Sequence, residues 1–301
     1  MAKGKDTKTE NVEIITEVLK ITQGGLDACL LGTSPIILNR LSEKVKHELL
    51  MPRGRKTATE KALSLKHDPF AEYRAAPYIL ADPREATFLA HVAAAFKGAM
   101  ETAALDLPGA KKAQIGRLVR VEGEHVGLYG VPRLFMRPVR SADMNRTPDI
   151  RTRVILPTWA ARVHITYPQQ LIRPQAVANL LGAAGFTAGV GDWRPEKGGN
   201  YGQFRIIEEN DPAFKRVVAA GGRAAQEEGM ANPVCYDDET TELLTWYQAE
   251  LIERKQRGVD THVATTHAAA DSRHQGPGKR ARTDHAAAHR PNGAGSSESL
   301  A

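Results

Sequence analysis

Between Gly189 and Gly202, five glycines (Gly189, Gly191, Gly198, Gly199 and Gly202) are interleaved with Trp193, Arg194, Lys197 and Tyr201. Glycine lets backbone amides approach a phosphate chain, cations neutralise it, and aromatic rings offer faces on which bases stack. One polar connection holding all three predicts a cradle for a single-stranded nucleic acid. The competing reading is a plain turn whose glycines only permit tight geometry. Asp192 and Glu196 oppose a phosphate unless they pair with neighbouring cations.

Two more basic features extend the candidate site. Lys97 follows Phe96 in the run FKGAM, where a phosphate contact competes with ordinary snorkelling from an alanine-rich helix. Arg146, Arg151 and Arg153 form a second basic strip in ADMNRTPDIRTR, which reads as a loop. Catalytic and metal patterns are missing: His47, His67, His91, His125 and His164 are isolated, with no HExxH, no paired-cysteine motif and no GxSxG. His164 sits on the strand leading toward the glycine loop, where a general base and a satisfied sheet-surface histidine are the alternatives. The expectation is a binding protein, with no enzyme activity, cofactor or metal.

The elements that must position these residues follow from apolar periodicity. Val163, Ile165 and Tyr167 alternate with Arg162, His164 and Thr166, the period-2 pattern of a half-buried strand. Pro174 opens a helix in which Val177, Leu180, Leu181 and Ala184 recur at helical spacing, with Gly185 as its expected cap. A strand over 202–208 closes the unit. Earlier, 12–22 reads as a strand, with a helix as the alternative, ending in a turn at Gly24 and Gly25, and 32–35 as a second turn. A helix then carries Ile37, Leu41, Val45 and Leu49 on one side. Residues 88–104 read as a long alanine-rich helix. Short apolar pieces over 119–139 suggest a hairpin-like insertion. Residues 211–229 and 239–254 read as helices, the latter with Leu243, Leu244, Tyr247 and Leu251 apolar. Trp159 and Trp246, each among apolar neighbours, are expected in a core or interface.

The 301 residues suffice for a real core, and the formal charge of +6 favours an acidic partner. From Lys255 onward there are seven Lys or Arg against four Asp or Glu, so half of that excess is local to the end of the chain. Residues 1–11 are expected as a flexible arm, and 52–68 as a basic mobile stretch. Residues 256–301, with scattered histidines and the cluster KRAR at 279–282, are expected as a disordered basic tail. No stretch approaches the roughly 18 uninterrupted apolar residues of a membrane span. Two cysteines make no disulfide framework, which points to a reducing cytoplasm.

Three phrases, GTSPIILNR at 32–40, AAFKGAM at 94–100 and AGVGDWRPEKGGNYGQFRI at 188–206, resemble a family of uncharacterised proteins from tailed bacteriophages and prophages. The order of elements around Lys97 and the glycine loop is also similar to the RAMP superfamily of CRISPR effector backbone and RNA-processing subunits. That resemblance implies an α+β, modified ferredoxin-like (RRM/RAMP-like) domain over 12–255, an antiparallel sheet with helices on one face and insertions near 52–87 and 108–155. It implies single-stranded RNA or DNA as partner, homo-oligomeric assembly along a strand, and a bacterial host cytoplasm as location. The nucleic-acid-binding residues would be Gly189, Gly191, Trp193, Arg194, Lys197, Gly199 and Tyr201, joined by Lys97, Arg151 and Arg153. The alternatives are a phage structural or assembly protein whose loop contacts a neighbouring subunit, and a metal-independent ribonuclease.

Overall fold

The computed structural model describes residues 20–40, 50, 65, 67–140 and 148–257. The expected arm, most of the helix expected through Leu41 and Val45, most of the basic stretch expected at 52–68, Arg146 and the expected tail beyond Arg257 lie outside the described residues.

Ten strands are described: β1 (Gln23–Gly32), β2 (Ile36–Leu38), β3 (Tyr78–Ile79), β4 (Leu89–Val92), β5 (Arg120–Val121), β6 (His125–Tyr129), β7 (Arg133–Arg140), β8 (Pro148–Leu156), β9 (Ala160–Pro168) and β10 (Phe204–Ile207). The described helices are α1 (Pro69–Ala75), α2 (Ala93–Ala103), α3 (Lys112–Leu118), α4 (Pro174–Thr187), α5 (Pro212–Ala220), α6 (Arg223–Ala231) and α7 (Asp238–Gln256). The larger sheet runs in the order β10-β1-β9-β6-β4-β3, with β5 also paired to β9 and every pairing antiparallel. A helix links β1 to β6 (α2) and another links β9 to β10 (α4), so β10-β1-β9-β6 is the order and βαββαβ connectivity of a ferredoxin-like core.

The alternation read in β9 places Ala161, Val163, Ile165 and Tyr167 in the core, together with Phe96 and Met100 of α2 and Val177, Leu180, Leu181 and Ala184 of α4. On the other face α5 covers one end, where Phe214 packs with Leu31 and Ala160. Asp68, Asp211 and Asp237 cap α1, α5 and α7 by accepting first-turn amide hydrogen bonds, which satisfies donors that a helix start leaves orphaned.

A second sheet, β2-β8-β7, is antiparallel throughout. One of its faces, with Leu38, Leu134, Val154 and Leu156, joins the main core. The other, with Ile37, Phe135 and Ile155, is covered by Trp193, Tyr201 and Tyr236.

Buried Gln226 acts as a polar pin. Its Oε1 accepts from the Phe88 and Leu89 amides at 2.7 and 2.9 Å. Its Nε2 donates to the carbonyls of Leu128, Gly130 and Gly221 at 2.6, 3.2 and 3.0 Å.

Several expectations are corrected. Gly24 and Gly25 lie inside β1 rather than in a turn, because they pair with Tyr167 and Thr166 of β9, and the side chains of Gln169 and His164 occupy the space a Cβ would need. Residues 20–22, the described end of the first expected strand, are not in one. The turn at 32–35 is present, but Ile36–Leu38 is a strand, apolar on both faces because both are covered. The alanine-rich helix begins at Ala93, since Leu89–Val92 pairs with β6. β6 and β7 form no hairpin, because β6 pairs with β4 and β9 while β7 pairs with β8 in the other sheet. Arg151 and Arg153 are strand residues of β8, not loop residues. Gly185 does not end α4, which continues to Thr187. A Cβ at Gly185 would stand 2.1 Å from the Phe204 carbonyl oxygen, so this glycine serves helix–strand packing. The helix expected over 211–229 is broken between α5 and α6 at Gly221 and Gly222. Trp159 is fully buried as expected, whereas Trp246 stands 65% exposed on α7.

Candidate functional site

The loop from Gly189 to Gly202 is a cross-braced excursion rather than an open cradle. Val190 N–H donates to Gly202 O, Tyr201 N–H to Trp193 O and Gly199 N–H to Arg194 O, at 2.9, 3.2 and 3.1 Å. Gly202, at φ +72°, passes so close to the opposite limb that a Cβ would lie 1.6 Å from Val190 O. The amides of Gly189, Gly198, Gly199 and Gly202 all donate to backbone carbonyls, so these glycines shape the loop instead of presenting N–H groups to a phosphate. Trp193 is held at φ +52°, a left-handed conformation that strains a bulky residue and that clusters at functional sites. Asp192 Oδ1 accepts the Trp193 amide at 3.0 Å and keeps it there.

This bracing lays Trp193 and Tyr201 on the second face of the small sheet. Both rings stand 6.2–6.4 Å from the Phe135 centroid, and Tyr236 is 5.8 Å from it. Three arginines share that face. Arg153 pairs in register with Phe135, and Arg151 with Arg137. Arg153 is 3% exposed, lies 5.2 Å over the Trp193 ring and bonds Asp192 Oδ2 at 3.0 Å, while its Nε and Nη1 have no protein partner. Burial pulls its pKa down. Arg137 lies 4.6 Å over Phe135 and is paired with Asp237 and Glu239. Arg151 is exposed at the rim. Two sequence segments expected to carry charge and stacking, Arg151 and Arg153 on one side and the loop aromatics on the other, are thus brought together.

Arg194 and Lys197 are less free than their sequence suggests. Arg194 bonds Glu196 at 2.9 Å and Gly191 O at 3.1 Å, and Lys197 lies 3.4 Å from the same carboxylate. Burial alone would raise the Glu196 carboxyl, but these two cations hold it below the usual carboxylate range. The acidic residues that opposed phosphate binding are therefore paired, at the cost of much of the loop's positive charge.

Val190, Gly191, Asp192 and Arg194 also line a cleft of about 480 Å³ against α2 and β4. Its α2 wall carries Ala94, Ala95, Gly98 and Ala99, and nothing lies within 4 Å of where a Cβ on Gly98 would be. Asn39 donates to Asp192 Oδ2 at 3.1 Å on its rim. His91 is pushed down to about 4 by burial first and by the Arg194 charge second, so its ring is neutral at physiological pH. Lys97 stands apart from the small-sheet face, 3.9 Å from Glu101, which lines the cleft.

His164 lies on the far face of the large sheet. Its Nδ1 is 2.6 Å from Asp27 Oδ1, a hydrogen bond that raises its pKa. Among the described residues no group of His, Cys, Asp or Glu is placed to hold a metal ion, and no helix is long and apolar enough to cross a membrane.

The sequence reading missed Phe135, Arg137 and Tyr236, which complete the aromatic and arginine face, and Asn39 and His91 of the cleft. Alternation in RLFMRPVR places Arg133, Phe135 and Arg137 on one side, a signal sufficient to find the first two. No local pattern marks His91.

No protein-family model and no curated protein sequence matches this chain. Among solved structures, the crystal structure of Cmr6 from Pyrococcus furiosus is similar over 62% of this chain and 100% of its own, at 8% identity and a TM-score of 0.31. The likeness to a phage family has no counterpart in these comparisons. What defines the class is the strand order itself: this is an α+β protein with a ferredoxin-like core and a second, three-stranded sheet.

Proposed function

We propose that the protein binds single-stranded nucleic acid on the outer face of the small sheet. The observation that supports this reading is the convergence of Trp193, Tyr201 and Tyr236 with Arg137, Arg151 and Arg153 on one surface. Single-strand binders combine aromatic platforms with accessible cations, a role that falls here to exposed Arg151 and Lys197. Trp193 and Tyr201 stack on bases, Arg151 and Lys197 contact phosphates at the rim, and Arg153 fixes the Trp193 ring from beneath. Gly189, Gly191 and Gly199 contribute through the shape of the loop. Arg194 and Lys97 extend the contact toward the cleft, and repeated subunits assemble along the strand.

Fluorescence anisotropy with labelled poly-dT and poly-U tests the reading. Removing two phosphate contacts by Arg151→Ala with Lys197→Ala should flatten the plot of log K against log salt by about 1.4. Trp193→Ala should cost about 1–3 kcal/mol at every salt concentration. Equal affinity and slope for parent and variants would sink the proposal and leave a subunit contact as the role of the loop. The protein is read as a binder rather than an enzyme. EDTA-resistant cleavage of labelled RNA that disappears in His164→Ala would overturn that part.

A further inference from the structure

The cleft behind the loop has a chemistry different from the stacking face. Its charges nearly cancel: Arg194 and Lys112 stand against Glu101, Asp192 and Glu196, and His91 is neutral. Such a lining disfavours a phosphate, whose burial requires a surplus of cations. The α2 wall is smooth and built of small residues, so a flat ring can lie against it. At one end the first turn of α2 has no side-chain cap, and Ala94 and Ala95 of that turn line the cleft. The Ala93 amide donates to Glu124 O at 2.9 Å, and the first-turn amides after it are donors without intrahelical partners, suited to a carbonyl oxygen. The rim supplies mixed donors and acceptors: the Asn39 amide, the Asp192 carboxylate and a neutral imidazole with one donor and one acceptor nitrogen. A volume of about 480 Å³ admits a nucleoside.

We infer that this cleft receives one nucleobase of the bound strand, flat against Ala94 and Ala95, with its polar edge read by Asn39, His91 and the first turn of α2. The inference deepens the strand-binding reading, on which it rests for the strand though not for the base. Asp192 and Trp193 are consecutive, so a strand crossing the loop can stack one base on Trp193 and turn another inward beside Asp192.

Gly98→Trp fills the cleft from a position with open space in front of it, and Gly98→Ala leaves it open, so the pair separates occlusion from loss of glycine. Melting curves first establish that both variants fold. Anisotropy is then measured with oligonucleotides that are intact or carry a single abasic site at successive positions. The parent and Gly98→Ala should lose about tenfold in affinity at one abasic position, while Gly98→Trp should bind about tenfold more weakly than the parent and ignore that position. In parallel, adenosine, cytidine, guanosine and uridine are titrated while the His91 ring resonances are followed by NMR. At least one should shift them in the parent and not in Gly98→Trp.

If oligonucleotides bind, Trp193→Ala weakens them, Gly98→Trp changes nothing and no nucleoside moves His91, the base pocket alone is overturned. If no oligonucleotide binds but a nucleoside shifts His91, the strand-binding reading fails and the base pocket stands. Silence in both assays overturns both.

Discussion

The two sheets are closed by different materials. In the large sheet, Val163, Ile165 and Tyr167 meet Phe96, Met100, Leu180 and Leu181, all under 5% exposed, and the contact is apolar side chain on apolar side chain. In the small sheet, Ile37, Phe135 and Ile155 are covered by a loop, and the cover is aromatic rings interleaved with guanidinium groups. The first interface gains from burial regardless of detail. The second depends on each polar atom finding its partner, and Arg153 has two nitrogens that have none in the protein. A surface held by rings and cations in a strained loop is suited to exchanging those contacts for a ligand's. A helix packed on a strand is not.

The largest expected effect tests the apolar side of this contrast. Leu181→Ala, at a fully buried position, should destabilise the protein by about 2–5 kcal/mol in chemical denaturation. A variant that unfolds like the parent would mean that α4 does not hold the sheet as described. Arg153→Met tests the other side: losing the charged hydrogen bond to Asp192 should cost about 1.5–3 kcal/mol and increase hydrogen exchange in residues 189–202 while leaving β9 protected. Uniform loss of protection in both sheets would dissolve the distinction. Gly98→Ala has no steric obstacle and should stabilise α2 by about 0.4–1 kcal/mol, read as a rise in melting temperature.

The smallest effects are in pH dependence, where a histidine beside each sheet should act with opposite sign. His67 lies 2.7 Å from Glu72 and 2.9 Å from Asp149, tying α1 to β8, and its pKa is raised chiefly by the Glu72 hydrogen bond. Its contribution is complete below the unfolded value of about 6.5 and is lost as pH rises through the folded value. His91 is depressed to about 4. It imposes no penalty above about 6.5 and a growing one as pH falls toward the folded value. In melting curves against pH, His67→Gln should remove a decline on the alkaline side, and His91→Gln one on the acid side. Parallel curves for parent and variants would show that neither site is coupled to folding.

The same contrast explains what the sequence reveals. β9 and α4 are each covered on one side by core, so their periods of 2 and 3.6 survive in the order of apolar residues and are legible in advance. β2 and the end of β8 are covered on both faces, so IIL and VIL lose alternation, and Ile37 fits a helical template as well as a strand. Leu89–Val92 merges with the helix that follows because alanine is acceptable to both elements. The loop's residue types make it a candidate site in the sequence. Their availability was not legible, because the hydrogen bonds that consume four glycine amides and the carboxylate that holds Arg194 and Lys197 depend on tertiary closure.

Gln226 has a consequence for the order of events during synthesis. The ferredoxin-like strands are all present once residue 207 has left the ribosome, yet five backbone groups at Phe88, Leu89, Leu128, Gly130 and Gly221 await a side chain that arrives later. Until then a nascent chain must leave the junction of β4 and β6 to water, since an unpaired buried amide or carbonyl is costly. The sheet therefore reaches its final form only after α6 emerges, and chains arrested shortly after β10 should remain protease-sensitive at 88–92. Here the finishing piece is one amide side chain on a helix outside the sheet.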